Sequence, residues 1–146
     1  MMQIKPMSNA DISQIVALEQ LCFSDPWSSM AFHSELHNPL SLWLVALDDD
    51  QCLMGYIGSQ TVLDESDIMN VAVSPQYRKQ GVATALIDSL CNALKDKAVK
   101  KLSLEVRQSN VSAISLYQKL GFIQVGLRKN YYRNPKEDAL ILQKEI

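Results

Sequence analysis

Cysteine is scarce in this chain. Cys22, Cys52 and Cys91 are odd in number and show no C-x-x-C spacing. That excludes a disulfide framework and a zinc ribbon, and the three read as reduced core residues of a cytoplasmic protein. Histidine is scarcer still. His33 and His37 lie four apart in His33-Ser34-Glu35-Leu36-His37, which is not H-E-x-x-H, so no metal is expected. No apolar run approaches the roughly 18 residues that span a bilayer. The opening MMQIKPMSNADIS has no apolar stretch of the secretory kind, so neither membrane insertion nor export is expected. Neither sign of charge is in large excess. Fourteen basic and sixteen acidic residues leave −2, which gives no electrostatic case for direct nucleic-acid binding. With five glycines there is no G-x-G-x-x-G, and no glycine loop ends in GK[ST], so dinucleotide and P-loop sites are excluded.

What remains is an ordinary globular composition, 47% hydrophobic and 21% charged over 146 residues without repeats or low-complexity linkers. This size and balance predict one soluble domain over 1–146 with its own core.

The most informative stretch is Ile68 to Thr84, IMNVAVSPQYRKQGVAT. Ile68 to Val73 is rich in β-branched residues and predicts a strand, which Ser74-Pro75 closes because proline donates no ladder hydrogen bond. A basic turn containing one glycine follows, and then Val82, Leu86, Leu90 and Leu94 recur at helical spacing with Ala83, Ile87 and Cys91 beside them. Strand, basic glycine turn and helix make a phosphate-holding arrangement. The first helical amides lack internal partners, the dipole end is positive, and glycine allows close approach. An ordinary solvated turn is equally compatible with these residues alone.

Before that stretch, Ile4 to Met7 predicts a short strand. Ser8 or Asn9 caps a helix through about Cys22, and a second helix runs from about Ser29 to His37, stopped by Asn38-Pro39. Trp43–Leu47 and Cys52–Leu63 predict a hairpin around Asp48 to Gln51, and Asp64 to Asp67 reads as the next turn. After the long helix, Lys101–Val106 is a strand. Asn110 caps a helix through Leu120, and Gly121 ends it. Phe122–Leu127 and Ala139–Leu142 complete the sheet around a polar, aromatic segment from Arg128 to Asp138. The order predicts an α/β domain with a mixed sheet.

Glu105 alternates with Leu104 and Val106, so it lies on the opposite face of its strand, near an end where ligands of α/β sheets bind. Tyr117 sits on the following helix, and the two are placed to act as base and acid across one cleft. Read from residues alone, both also fit plain structural roles.

Several blocks carry a family resemblance. Arg78-x-x-Gly81-x-Ala83 resembles the Q/R-x-x-G-x-G/A signature of the GNAT acetyltransferases. Leu104-Glu105-Val106-Arg107 with Asn110 and Ser115-Leu116-Tyr117-x-x-Leu120-Gly121-Phe122 resembles the bacterial ribosomal-protein-alanine N-acetyltransferases of the RimI type. So do Asp25-Pro26-Trp27-Ser28 and Asn130-Tyr131-Tyr132 with Glu137-Asp138-Ala139. The likeness covers nearly the whole chain; Ala83 stands where many relatives have glycine.

The resemblance implies the GNAT fold, a central mixed sheet flanked by helices, and acetyl-CoA as the donor. It implies that Arg78, Lys79, Gln80, Gly81, Val82, Ala83 and Thr84 hold the pyrophosphate, and that Val71, Ala72 and Val73 offer backbone to the pantetheine arm. An N–H near Val71 or Val73 is expected to polarise the carbonyl oxygen. Glu105 is implied as proton acceptor, Tyr117 as proton donor to the thiolate, and Asn110 and Tyr117 as coenzyme contacts. The implied partner is the N-terminus of a small-subunit ribosomal protein, acetylated by direct transfer in a ternary complex. Asp67, in the acidic turn, and Tyr131, in a flap over the acceptor, are expected to line the substrate site. Arg128 to Arg133 also mixes basic and aromatic residues as RNA-binding segments do. Two other readings stay open: a different acceptor, either another protein N-terminus or a small amine, and a coenzyme-A-binding module without catalysis.

Overall fold

The computed structural model describes residues 2–146. The strands are β1 (Gln3–Pro6), β2 (Ser41–Leu47), β3 (Leu53–Val62), β4 (Glu65–Val73), β5 (Lys101–Arg107), β6 (Ile123–Tyr132) and β7 (Glu137–Glu145). The helices are α1 (Ile12–Cys22), α2 (Ser29–Leu36), α3 (Val82–Lys95) and α4 (Val111–Lys119), with 3-10 turns at Asn9–Asp11 and Pro75–Tyr77. The seven strands form one mixed sheet in the order β1-β2-β3-β4-β5-β7-β6, in which β4 and β5 are the parallel neighbours.

The helix predictions hold because their causes are local. Ser8 Oγ and the Ser8 N–H both donate to Asp11 Oδ2, at 2.9 and 2.8 Å, closing the turn that leads into α1. Ser28 Oγ accepts the Ala31 N–H at 3.1 Å to start α2, and Asn110 Oδ1 accepts the Ala113 N–H at 3.3 Å to start α4. Gly121 takes the left-handed conformation (φ 98°) just beyond the end of α4. Val82, Leu86, Ile87, Leu90, Cys91 and Leu94 bury one face of α3 against the sheet together with Leu102, Leu104, Val106 and Tyr117. On the other sheet face, Ile12, Ile15 and Leu18 of α1 and Phe32 of α2 pack on Trp43, Val45 and Tyr56. The Trp43 ring lies directly over Gly58, where a Cβ would sit 2.2 Å from ring carbons, so this crossing requires glycine.

Three expectations change. Asp64 to Asp67 is not a separate turn: β4 already begins at Glu65 and pairs with β3 from Val62↔Glu65 onward. The β3–β4 turn is therefore only Leu63 and Asp64, with Leu63 at φ 57°. Residues 128–138 are not a loop either. Arg128 to Tyr132 continue β6, Glu137 and Asp138 begin β7, and the turn shrinks to 133–136, with the ladder to β7 kept at Arg128↔Ala139 and Tyr132↔Glu137 across a register shift. Of the three cysteines only Cys91 is buried; Cys22 is half-buried and Cys52 is exposed beside the β2–β3 turn. Among the described residues no helix is long and apolar enough to cross a membrane.

Candidate active site

The cleft arises where two parallel strands part company. β4 and β5 pair only at Glu65↔Lys101, Ser66↔Leu102 and Asp67↔Ser103. Beyond that point β4 stays with β3 and β5 stays with β7, so the C-terminal halves of the two strands diverge. A register shift opposite Gly58/Ser59 leaves Met69 without a partner on β3, a bulge at the start of the divergence. Past it, Ser74 N–H donates to Met54 C=O at 2.8 Å, and antiparallel alternation then makes Tyr56–Ala72 a hydrogen-bonded pair. The N–H and C=O groups of Val71 and Val73 accordingly face away from β3, into the gap. Backbone donors and acceptors on one wall of an open cleft suit an extended, amide-bearing ligand.

At the head of this wall lies the basic turn. Lys79 (φ 62°) and Gly81 (φ 79°) both take left-handed conformations, and a Cβ on Gly81 would meet nothing within 4 Å. The first bond of α3 runs from Ala85 N–H to Gly81 C=O at 3.0 Å, so the amides of Val82, Ala83 and Thr84 have no acceptor within the helix. Arg78, Lys79 and Gln80 are exposed around them. Tyr77 Oη donates to Asp48 Oδ2 at 2.5 Å, fastening the turn to the β2–β3 hairpin. The donor set fits a polyphosphate: free helical amides, two cations and open space over a glycine.

The other wall is β5. Glu105 projects from it into a cavity of about 160 Å³ lined by Asp67, Ile68, Ser103, Leu104, Arg128 and Ile141. Arg128 Nε lies 3.4 Å from Glu105 Oε2, an ion-pair distance without hydrogen-bond alignment, and Oε2 is otherwise buried without a donor. Partial burial and the neighbouring Glu65 raise the Asp67 carboxyl above the ordinary aspartate range, against the pull of Arg128. A larger cavity of about 230 Å³, between Leu40, Leu63, Leu94 and Lys97, lies at the opposite end of the sheet, away from these groups.

Tyr117 is 7% exposed, with its ring edge-on to Phe122 at 5.7 Å. Burial pushes its phenol up to about 12, so it carries its proton at neutral pH. Tyr131 is half exposed, whereas Tyr132 is the more enclosed of the pair. The Tyr132 phenol is pushed up to about 12 by burial first, then by the charge of Glu105. Tyr132 also packs edge-on against Tyr131, 5.0 Å between ring centroids. The Arg107 guanidinium lies over its ring at 4.4 Å and donates to the carbonyls of Arg133 and Pro135, both at 2.9 Å. Glu137 takes Arg107 Nη1 at 3.3 Å and the Ser109 N–H at 2.5 Å.

The fold thus brings Glu105 and Asp67 to one cavity where β4 and β5 part, with Arg128 between Glu105 and the Tyr131 ring, the gap-facing backbone of Val71 and Val73 farther along β4, and Tyr117 buried against Phe122. Asn110 Oδ1 is committed to the α4 cap. The Val71 N–H is not vacant: it donates to its neighbour's side chain, Asn70 Oδ1, at 3.1 Å. Sequence reading missed Tyr132, Arg107 and Glu19. No local signal marks them, since their partners lie far away in the chain; only the occurrence of Arg107 in Leu-Glu-Val-Arg and of Tyr132 in Asn-Tyr-Tyr pointed their way.

A mixed sheet with parting parallel strands, bearing an anion-holding turn at the head of one and a carboxylate on the other, defines the class: the chain belongs to the acetyltransferase (GNAT) family, whose model matches residues 12–122. More particularly, it is 36% identical to the ribosomal protein bS18-alanine N-acetyltransferase of Escherichia coli K12, over 95% of this chain and 94% of that one. A Bacillus subtilis relative provisionally given the same name is 40% identical, over 95% and 92%. The crystal structure of the Escherichia coli ribosomal-protein-S18-alanine N-acetyltransferase superposes with a TM-score of 0.91 at 34% identity, covering 100% of this chain and 94% of that one. NAA60 of Arabidopsis thaliana, crystallised with acetyl-CoA, shares the fold (TM-score 0.89, 19% identity, 100% and 99% covered).

Proposed function

We propose that residues 1–146 work as one cytoplasmic N-acetyltransferase domain that acetylates the N-terminal alanine of ribosomal protein bS18. The observation that carries this reading is the parting of β4 and β5 between a helix terminus fit for polyphosphate and Glu105. The substrate is taken from relatives matched over nearly their full length.

Acetyl-CoA supplies an activated thioester. Val82, Ala83 and Thr84 amides with Arg78, Lys79, Gln80 and Gly81 hold its pyrophosphate, Val71 and Val73 pair with the pantetheine amides while the Ala72 backbone stays on β3, and Asn110 adds a contact from the α4 side. The acceptor amine enters from the Asp67, Tyr131 and Tyr132 side. Glu105 takes a proton from the α-ammonium, directly or through one water, leaving a neutral amine to attack the carbonyl carbon; the second proton, which the nitrogen loses once the N–C bond has formed, passes to solvent. The amide of Val71 or Val73 donates to the carbonyl oxygen as charge grows there. The C–S bond breaks, and Tyr117 gives its proton to the departing sulfur. Transfer is direct, with no acyl-enzyme.

The acceptor's own acidity suits a modest base. An α-amine of pKa about 7.7–8.0 is roughly one-fifth neutral near pH 7.2, whereas a lysine at about 10.4 is under about 0.1% neutral. The deciding experiment incubates the protein with acetyl-CoA and a hexapeptide beginning Ala-Arg, beside a blocked-N-terminus peptide, a lysine-only peptide and small amines. Mass and acetyl position are then read. Acetyl on the α-amine alone is the expected result; acetylation confined to lysine or to small amines overturns it.

A further inference from the structure

Glu19 is the most completely buried carboxylate of the described residues, with 0% exposure on α1. Its three hydrogen-bond donors come from three different segments. Tyr56 Oη on β3 and Asn70 Nδ2 on β4 both donate to Oε1, and the Trp27 N–H, between α1 and α2, donates to Oε2 at 2.7 Å. All three donors are neutral: a phenol, a carboxamide and a peptide N–H. A buried carboxylate without a cationic hydrogen-bond partner is an expensive way to join helix to sheet, and a hydrophobic contact would do that work more cheaply.

The arrangement has a direction. Asn70 directly follows Met69, the residue bulged out of register with β3. Its Nδ2 is held by Glu19, and its Oδ1 accepts the Val71 N–H at 3.1 Å. The Val71 N–H is one of the two that face the gap between β4 and β5. A carboxamide whose N–H donates to an anion has a more electron-rich oxygen, so Glu19 strengthens the Asn70 grip on that N–H. A carboxamide oxygen and a thioester carbonyl oxygen are acceptors of one kind. Replacing one by the other keeps the Val71 N–H paired throughout, which avoids the cost of an unsatisfied buried donor.

We propose that Glu19 and Asn70 are positioning residues for acetyl transfer: Glu19 fixes the Asn70 carboxamide, and Asn70 Oδ1 holds the Val71 N–H toward the cleft until the thioester carbonyl oxygen takes its place. The inference rests on the acetyltransferase reading but not on the identity of the acceptor. Glutamate suits the first position because it only accepts. In Glu19→Gln the carboxamide nitrogen must face one of the three donors, so one arm is lost.

The test uses the whole chain and has two arms. In steady-state acetylation of the Ala-Arg peptide, Asn70→Ala lowers kcat about 10- to 100-fold, less than the roughly 100- to 1000-fold of removing an oxyanion donor outright because the Val71 N–H remains, with peptide KM within about twofold. Glu19→Gln, which loses one of the three donors, lowers kcat less. The second arm needs no acceptor. The Val71 amide cross-peak in nitrogen-15 spectra moves further with acetyl-CoA than with coenzyme A in the wild type, and that difference is lost in Asn70→Ala. Unchanged kcat in Asn70→Ala overturns the proposal. So does a Val71 cross-peak that responds equally to acetyl-CoA and coenzyme A in the wild type, or a kcat loss that leaves the wild-type difference at Val71 intact. A wild type inactive on the peptide instead sinks the acceptor assignment, and the spectroscopic arm still decides this one.

Discussion

The two walls of the cleft are built on different principles. The donor wall, from Val71 to Thr84, is one continuous piece of chain whose working groups are backbone: gap-facing amides of β4, a left-handed Gly81 and the unpartnered amides that open α3. The wall proposed for the acceptor gathers side chains from four places: Asp67 on β4, Glu105 and Arg107 on β5, Tyr117 on α4, and Arg128, Tyr131 and Tyr132 on β6. A backbone site tolerates many side chains but few conformations. A side-chain site depends on residue identity and on contacts between distant segments.

The largest effect expected on this contrast comes from Tyr117→Phe. Loss of the proton donor lowers kcat about 100- to 1000-fold, within the range for general acid catalysis, while acetyl-CoA affinity stays within about twofold in calorimetry. A large loss of affinity would instead make Tyr117 part of the donor wall. Because burial holds this phenol near 12, above the 10 of a free tyrosine, the wild-type rate shows no alkaline limb below about pH 11. The same shift has a stability consequence. Above pH 10 the unfolded chain releases the tyrosine proton and the folded chain keeps it, so stability falls as pH rises from there toward the folded value.

Next is Glu105→Gln, expected to lower the rate about tenfold at pH 6.5 and to converge on wild type above about pH 8.5, where an α-amine of pKa about 8 is neutral unaided. A pH–rate profile parallel to wild type removes Glu105 as the base. Gly81→Val probes the donor wall through conformation and through the open space left for the pyrophosphate, since a side chain there meets no neighbour within the protein. Holding valine at φ 79° costs about 1–2 kcal/mol, seen as a lower Tm and acetyl-CoA binding weakened up to about tenfold, with peptide KM unmoved. The smallest effect is Arg107→Lys. An ammonium keeps the charge but not the fork and stack that hold the β6–β7 turn, so peptide KM rises about three- to fivefold with acetyl-CoA KM unchanged. If Gly81→Val moved peptide KM and Arg107→Lys moved coenzyme KM, the division between the walls would fail.

The same division decides what could be read beforehand. Asn110 and Gly121 announced the two ends of α4, and the four-residue spacing of Val82, Leu86, Leu90 and Leu94 announced the buried face of α3, because caps and periodicity act within a turn or two. The polar run from Arg128 to Asp138 misled, since its strand character comes from β7 alongside it, not from its own residues. Nothing beside Glu19 in the chain marks it, since its three donors sit on partners as remote as Asn70. Arg107 could be noticed within its motif, but not its grip on the 133–136 turn.

By itself, then, the sequence determined the helices, most strands, the basic glycine turn and, through its motifs, the family; each of these is written in neighbouring residues. Tertiary structure alone decided that β7 inserts between β5 and β6, that β4 and β5 part after Asp67, that Tyr132 rather than Tyr131 is the enclosed ring, and that Glu19 reaches Val71 through Asn70. Those outcomes depend on which distant surfaces bury each other and which buried polar groups then find partners, and neither is encoded at any one position.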